Sequence, residues 1–185
     1  MNPMIFCRLV DAVWLVLVAY LTISAIGAKR DTQGHLLQSL GLLAAIIAAF
    51  LLPQLPIFAF VNFAPVDPVL GGIGLVLCIA GAACLAWARQ HLGGNWSQTV
   101  AAKEGHELVT SGPYRHVRHP MYTGGFVAAV GSAIACGGPF VFLLLLLGGI
   151  FLWRVGAEDE LMERQFPDDY PAYKRRTKAL IPFVW

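Results

Sequence analysis

The chain has 185 residues, 57% of them apolar and 13% charged, with a formal net charge of +2 and a mean hydropathy of +0.65. A soluble domain carries about 25% charged residues, so this chain has too few charges to cover a water-facing surface. The balance excludes a disordered chain, a coiled coil and a nucleic-acid binder with a basic face. It leaves a small integral membrane protein of one domain, residues 1–185.

About 20 apolar residues cross about 30 Å of hydrocarbon. Residues 12–28 carry no charge and, extended back through Leu9, predict a first membrane helix. Residues 36–66 are uncharged, and Pro53 and Pro56 interrupt them, so a second helix is expected to about Leu52, followed by a kink or irregular end. Residues 68–88 fit a third span, with Pro68 in its first turn. Residues 9–88 thus hold three transmembrane helices. Residues 120–153 are also uncharged, but one straight helix of that length would be about 51 Å long, too long for one crossing. Gly137, Gly138 and Pro139 sit at its middle and predict a turn. The segment 120–155 is therefore read as a tight hairpin, and the fold class as all-α and polytopic, with about five transmembrane helices.

Orientation follows from Lys and Arg. With the 28–36 loop facing the cytosol, 12 of the 13 basic residues lie on that side and only Arg8 lies outside. The expected arrangement is an outside amino end and a cytosolic active face, in a bacterial inner membrane or the endoplasmic reticulum. The amino end has no basic run before its apolar stretch, so no cleavable secretory signal is expected. Cys7, Cys78, Cys84 and Cys136 lie in or beside apolar stretches without CxxC or Cys/His spacing. They read as buried or lipid-facing, with a palmitoylated Cys7 as the alternative, and no metal is expected.

The charges gather in residues 89–119 and 154–185, which hold 10 of the 13 basic and 8 of the 11 acidic residues. In the first, Gly93-Gly94 breaks the third helix, Thr99-Val100 and Glu107–Thr110 suit short extended pieces, and Ser111-Gly112-Pro113 suits a turn. Tyr114, Arg115, His116, Arg118 and His119 then lead to Pro120, a residue suited to a helix's first turn. That places Arg118 and His119 at a helix amino end, where free N–H groups favour a carboxylate or phosphate. Alternatively, the arginines anchor the helix to lipid headgroups. In the second segment, Phe151, Val155, Met162 and Phe166 continue the fifth helix's apolar stripe. Glu158 shares that stripe, with Asp159 close by. A carboxylate there is costly unless paired, and so is a functional candidate; the alternative is a salt bridge to Arg154 or Arg118. Pro167 ends the helix, and Asp168 or Asp169 suits the cap of a last one bearing Tyr170, Tyr173, Arg175 and Arg176.

The run GPYRHVRHPMYTG, then an acidic patch, FPDDYPAYKRR, Thr177 and Ile181-Pro182, resembles the isoprenylcysteine carboxyl methyltransferase family. More broadly it is similar to the membrane methyltransferases that include phospholipid methyltransferases. The resemblance covers about residues 89–182. LGGNWS upstream is shared with bacterial-type members. It implies S-adenosylmethionine as methyl donor, with S-adenosylhomocysteine as product, and a pocket under a cytosolic cofactor-binding cap. It places cofactor binding at Tyr114, His116, Arg118, His119, Pro120, Tyr122 and Gly124, with Glu158 and Tyr170 from the cap, and catalysis at Arg118, Glu158 and His119. Two departures stand out: Glu158-Asp159 replaces the usual paired Glu, and Phe166-Pro167 the usual Phe-Gly. The expected partners are a lipophilic or prenylated substrate and membrane lipids, with no nucleic acid.

Methyl transfer from a sulfonium neutralises charge and needs placement more than acid–base help. A carboxylate acceptor is already nucleophilic and suits Arg118; an amine acceptor, as in phospholipid headgroups, needs a base such as His119 or Glu158. No Gly-rich loop follows a strand, which excludes a soluble Rossmann-type methyltransferase. Two other readings compete. An NADPH-dependent sterol-type reductase shares an HPxYxG-like pattern but commonly carries an acidic residue where this chain has Gly125. A non-catalytic scaffold or small transporter predicts no cofactor binding. Gly71, Gly72, Gly74 and Gly81, with Gly124 and Gly125, would allow close helix approach or a groove for a lipid tail between helices.

Overall fold

A computed structural model describes residues 4–26, 67–96 and 107–181. The expected second helix within 36–66 and the extended piece at Thr99-Val100 lie outside the described residues. Five α-helices are described: α1 (Met4–Ile26), α2 (Pro68–Leu92), α3 (Pro120–Cys136), α4 (Gly138–Gln165) and α5 (Tyr170–Arg176). Short 3-10 turns occupy Gly93–Asn95 and Gly112–Arg115. Glu107–Thr110, expected as an extended piece, has no regular structure. Among the described residues the sole β-type pairing is an isolated parallel bridge between Val117 and Lys178.

Local chemistry sets the helix ends. Pro68 opens α2, and the Asp67 carboxylate accepts from the Val69 N–H at 2.8 Å. Gly93, at φ 50°, closes it. Pro120 opens α3 directly after His119. Gly137, at φ 74°, turns the chain from α3 into α4 at the place where the hairpin is expected. The second arm is longer than the apolar run alone, because α4 continues through the charged residues to Gln165. Asp169 stands at the start of α5, but its side chain makes no capping hydrogen bond.

The bundle is held by a seam of small residues between α2 and α3. A Cβ on Gly74 would lie 2.5 Å from the Ala135 nitrogen and 2.6 Å from the Gly131 carbonyl oxygen. One on Gly81 would meet the Ala128 nitrogen and lie 2.6 Å from the Gly124 oxygen. The backbones therefore touch, and dispersion acts over the full contact, which is how apolar helices associate where water supplies no driving force. Of the other glycines, Gly71 packs on Phe6 and Gly125 on Phe151, whereas Gly72 has open space beside it.

α1 lies across both helices. Val10 and Cys7 pack with Cys78, Ala128, Ala135 and Cys136, and the Trp14 indole donates to Ser132 Oγ at 2.9 Å. At the other end Arg89 ties α1 to α2, donating to the Ser24 carbonyl at 2.6 Å and the Gly93 carbonyl at 2.9 Å while lying over the Trp96 ring. Leu15, Val16, Ile23, Val76, Leu145 and Trp153 are exposed on the outer faces. Among the described residues two helices, over Ile5–Ser24 and Pro68–Asn95, are long and apolar enough to cross a membrane, and α3 is a shorter apolar helix.

Candidate active site

The polar residues converge where the α3 amino end, the charged end of α4 and α5 meet. Pro120 disfavours helical backbone before it, and His119, at φ −123° and ψ 58°, is non-helical, so Arg118 and His119 leave the Gly112–Arg115 turn unwound. Their free N–H groups donate to the Lys178 and Ala179 carbonyls at 2.8 and 3.0 Å. Thr123 Oγ1, one turn into α3, donates to the Leu180 carbonyl at 2.7 Å. The segment after α5 is thereby laid along the entry to α3.

Asp159 is the hub. Its carboxylate accepts from Arg118 Nε at 3.3 Å and Nη2 at 3.0 Å, and contacts His119 Nε2 at 2.9 Å. The Tyr170 hydroxyl donates to it as well, and Lys174 Nζ lies 3.6 Å away. The remaining Arg118 nitrogen donates to the carbonyls of Thr177 at 2.6 Å and Lys174 at 3.3 Å. Every arm of this guanidinium is thus engaged by the cap.

Glu158 sits beside Asp159 and faces another way. It accepts from the Tyr122 hydroxyl and from Arg154 Nη2 at 2.9 Å, one turn earlier on α4. His119 Nδ1 lies 3.5 Å from its second oxygen, so one imidazole bridges both carboxylates. The Glu158 side chain is 25% exposed and that of Asp159 9%. Tyr122 is stacked between His119 and Phe151. The Tyr173 hydroxyl donates to the Tyr114 carbonyl at 2.6 Å, fastening α5 to the loop, and the Tyr114 hydroxyl donates to Ala88.

The charge states follow. Burial alone would raise the Asp159 pKa, but hydrogen bonds from His119, Arg118 and Tyr170 outweigh it and hold the carboxyl well below the usual carboxylate range. Glu158 is lowered too, its bonds to His119 and Tyr122 overcoming burial. Burial opposes a charge on His119, but its two carboxylate partners prevail and raise its pKa. Burial pushes the Tyr173 hydroxyl up to about 12 and the Tyr114 and Tyr170 hydroxyls higher still, so all three stay neutral donors.

Of the residues expected from sequence, Arg118, His119, Tyr122, Glu158 and Tyr170 come together in this cluster, with Pro120 buried beneath it and Tyr114 anchoring its rim. Two stand apart: His116 is exposed on the loop, and Gly124 faces α2, within 2.7 Å of the Gly81 oxygen if given a Cβ. Asp159 was expected only as a neighbour of Glu158, and Tyr173, Lys174 and Thr177 were not singled out for the site. Tyr170 and Tyr173 are three apart on one helix, so they share a face; that spacing was the available signal.

Residues 73–164 match the isoprenylcysteine carboxyl methyltransferase (ICMT) family. A probable protein-S-isoprenylcysteine O-methyltransferase of Oryza sativa subsp. indica is 28% identical over 166 residues, covering 88% of this chain and 82% of the relative. The protein-S-isoprenylcysteine O-methyltransferase of Saccharomyces cerevisiae is 30% identical over 150 residues, covering 79% and 62%. A solved structure of the eukaryotic intramembrane Ras methyltransferase ICMT superposes with a TM-score of 0.60 at 24% identity, covering 83% of this chain and 55% of that one.

Fold and relatives together define an all-helical enzyme of the methyltransferase class, one that uses a methyl donor and shares the fold of an intramembrane methyltransferase. The chain belongs to the isoprenylcysteine carboxyl methyltransferase family.

Proposed function

We propose that this chain transfers a methyl group from S-adenosylmethionine to the carboxylate of a membrane-embedded, isoprenylcysteine-like acceptor, giving a methyl ester. The observation that carries this reading is the buried junction of Arg118, His119, Glu158, Asp159 and Tyr170 at the base of an apolar bundle. It is a polar site where the charged cap meets the apolar helices.

The donor set suits S-adenosylmethionine. The amino-acid end of that molecule needs a carboxylate for its ammonium and cations for its carboxylate. Glu158, the more open of the two acids, is matched to the first, and His119 and Arg154 beside it to the second. When bound, the cofactor supplies the methyl group on its sulfonium. The residues of this chain do the placing. Asp159 fixes the Arg118 and His119 side chains, Tyr122 and Phe151 give a flat apolar wall, and Tyr170 closes the inner side. A carboxylate acceptor is ionised at neutral pH, so no proton has to be removed and orientation supplies most of the acceleration.

The reading extends to topology. The body carries about five transmembrane helices and the cap faces the cytosol, supported by the placement of 12 of 13 basic residues on that side. Residues 9–88 form the amino-terminal membrane part and 89–185 the catalytic region of one domain. His116 and Gly124 remain in the proposed binding set, with His116 at the water-facing rim and Gly124 supporting the α3 entry from behind.

The test is methyl transfer by the purified chain in detergent, with radiolabelled S-adenosylmethionine and either a prenylcysteine or phosphatidylethanolamine. Base-labile product on the prenylcysteine is expected. Base-stable product on the phospholipid would assign the chain to amine methylation, and absence of product with both would overturn the reading.

A further inference from the structure

The end of the bundle opposite the cap holds a chemical group that methyl transfer does not use. Cys7 lies near the start of α1 and Cys136 is the last residue of α3, next to the Gly137 turn. Cys136 belongs to a buried cluster at this end, and Cys7 packs against that cluster. Cys7 Sγ also points at the Ala135 carbonyl oxygen, 3.9 Å away. A third thiol, Cys78, is nearby on α2, but it accepts from Ser132 Oγ at 3.5 Å and is fully buried. Cys84 is on the cap side, with its sulfur 3.9 Å from the Pro120 carbonyl oxygen. Cys7 is half-buried and close to the chain's exposed Arg8, so it is the thiol within reach of an external reagent.

Chain direction fixes which side this is. α2 runs toward the cap and α3 away from it, so the α1 start and the α3 end lie together at the far face. The basic residues put the cap in the cytosol, which leaves Cys7 and Cys136 facing the exterior or lumenal compartment, where disulfides persist.

We propose that Cys7 and Cys136 form a disulfide that ties α1 to the α3–α4 turn. The step is thiol–disulfide exchange with a protein or small-molecule disulfide of that compartment. The Cys7 thiol loses its proton and attacks one sulfur of the oxidant, which expels a thiolate and leaves a mixed disulfide. The Cys136 thiol, deprotonated in turn, attacks the Cys7 sulfur and displaces the second thiolate. Two protein thiols are oxidised, one disulfide is reduced to two thiols, and the two protons end on the oxidant. Both thiols are free in this structure, and the packing of Cys7 against the Ala135–Cys136 end of α3 brings the two residues together for the second exchange. The proposal rests on the orientation of the chain and not on its acceptor.

The test uses the full chain in membranes prepared without reductant. Free thiols are blocked with N-ethylmaleimide, disulfides are reduced with a phosphine, and the released thiols are labelled with a maleimide-linked polymer that shifts migration on a gel. The wild type is expected to gain two labels, Cys7→Ser and Cys136→Ser none, and Cys78→Ser and Cys84→Ser two. Mass spectrometry of the unreduced wild type is expected to show the Cys7 and Cys136 peptides cross-linked, a readout independent of how the variants fold. An unlabelled wild type overturns the proposal. So does labelling that persists in Cys7→Ser or Cys136→Ser, or a Cys7 thiol released by hydroxylamine and not by phosphine, which would mark a thioester.

Discussion

Arg118 and Asp159 face each other as fork and carboxylate, with Nε 3.3 Å from one oxygen and Nη2 3.0 Å from the other. The pair joins the loop before α3 to the charged end of α4, and the third nitrogen of the fork reaches past it to Thr177 and Lys174. A guanidinium so placed positions the cap. It is a planar connector that Lys cannot replace, because one ammonium does not span both partners.

Asp159→Asn keeps the shape and removes the charge. It leaves Arg118 buried without its counter-ion, and breaking a buried pair costs about 3–5 kcal/mol. Thermal unfolding in detergent is expected to shift down strongly. Methyl transfer is expected to fall at least about 100-fold, as for misplaced reacting groups. Arg118→Ala and Arg118→Lys should share both losses, with Lys the less destabilised. Wild-type turnover in either Arg118 variant would remove this residue from the site.

Glu158→Gln separates binding from architecture. Glu158 is the more exposed acid, and its Arg154 partner keeps a second bond to the Tyr122 hydroxyl at 2.8 Å. The expected loss of stability is about 1–2 kcal/mol. The expected kinetic signature is a raised KM for S-adenosylmethionine. An unchanged KM alongside a collapsed kcat would shift Glu158 from holding the methyl donor to acting on the reacting atoms.

Stability should depend on pH from both sides. The His119 pKa is raised, so its contribution is complete below about 6.5 and fades as pH rises through the raised value. Those of Asp159 and Glu158 are lowered, so their contributions are complete above about 4 and fade as pH falls through the lowered values. Melting temperature against pH is expected to show a plateau across the weakly acid range with a fall on either side. Burial opposes a charge on Arg154, but Tyr122 and Glu158 prevail and raise its pKa; Glu163 raises that of Lys174 and burial that of Tyr170, so the limbs belong to the imidazole and its two acids. In Asp159→Asn the acid limb should shrink.

The seam between α2 and α3 has no room for side chains. Gly81→Val puts atoms into the Ala128 backbone and the Gly124 carbonyl. Overpacking of this kind costs about 1–3 kcal/mol where neighbours can shift, and backbone shifts least. Lower yield of folded protein and a lower melting temperature are expected for Gly81→Val. Gly72→Val, beside open space, should behave as wild type.

Local signals were legible in the sequence and partnerships were not. Gly137 and Pro120 mark a turn and a helix start because each acts on its own backbone. Glu158 was legible from the stripe it shares with Val155 and Met162, and Arg154 as its partner from the one-turn spacing. The alternative Arg118–Glu158 pairing is not formed. Arg118 takes Asp159 because the segment after α5 holds the guanidinium from the other side, a contact across 59 positions that no periodicity encodes. His116 belongs to the same motif as Arg118, yet the Gly112–Arg115 turn leaves it facing outward. The uncharged run 120–153 showed where the hairpin turns, but not that α4 would continue unbroken past it into the site.

The tail segment that bonds to Arg118, His119 and Thr123 has a consequence for biosynthesis. Thr177 is made 59 residues after Arg118, and at ribosomal rates of about 5–20 residues per second the loop waits roughly 3–12 seconds for it. In the topology proposed above, α3 stands in the bilayer during that interval with the guanidinium and the imidazole satisfied by water or lipid headgroups. The nascent enzyme is therefore inert until its last helix has left the ribosome, and a chain cut short before Lys174 would insert into the membrane without acquiring a site.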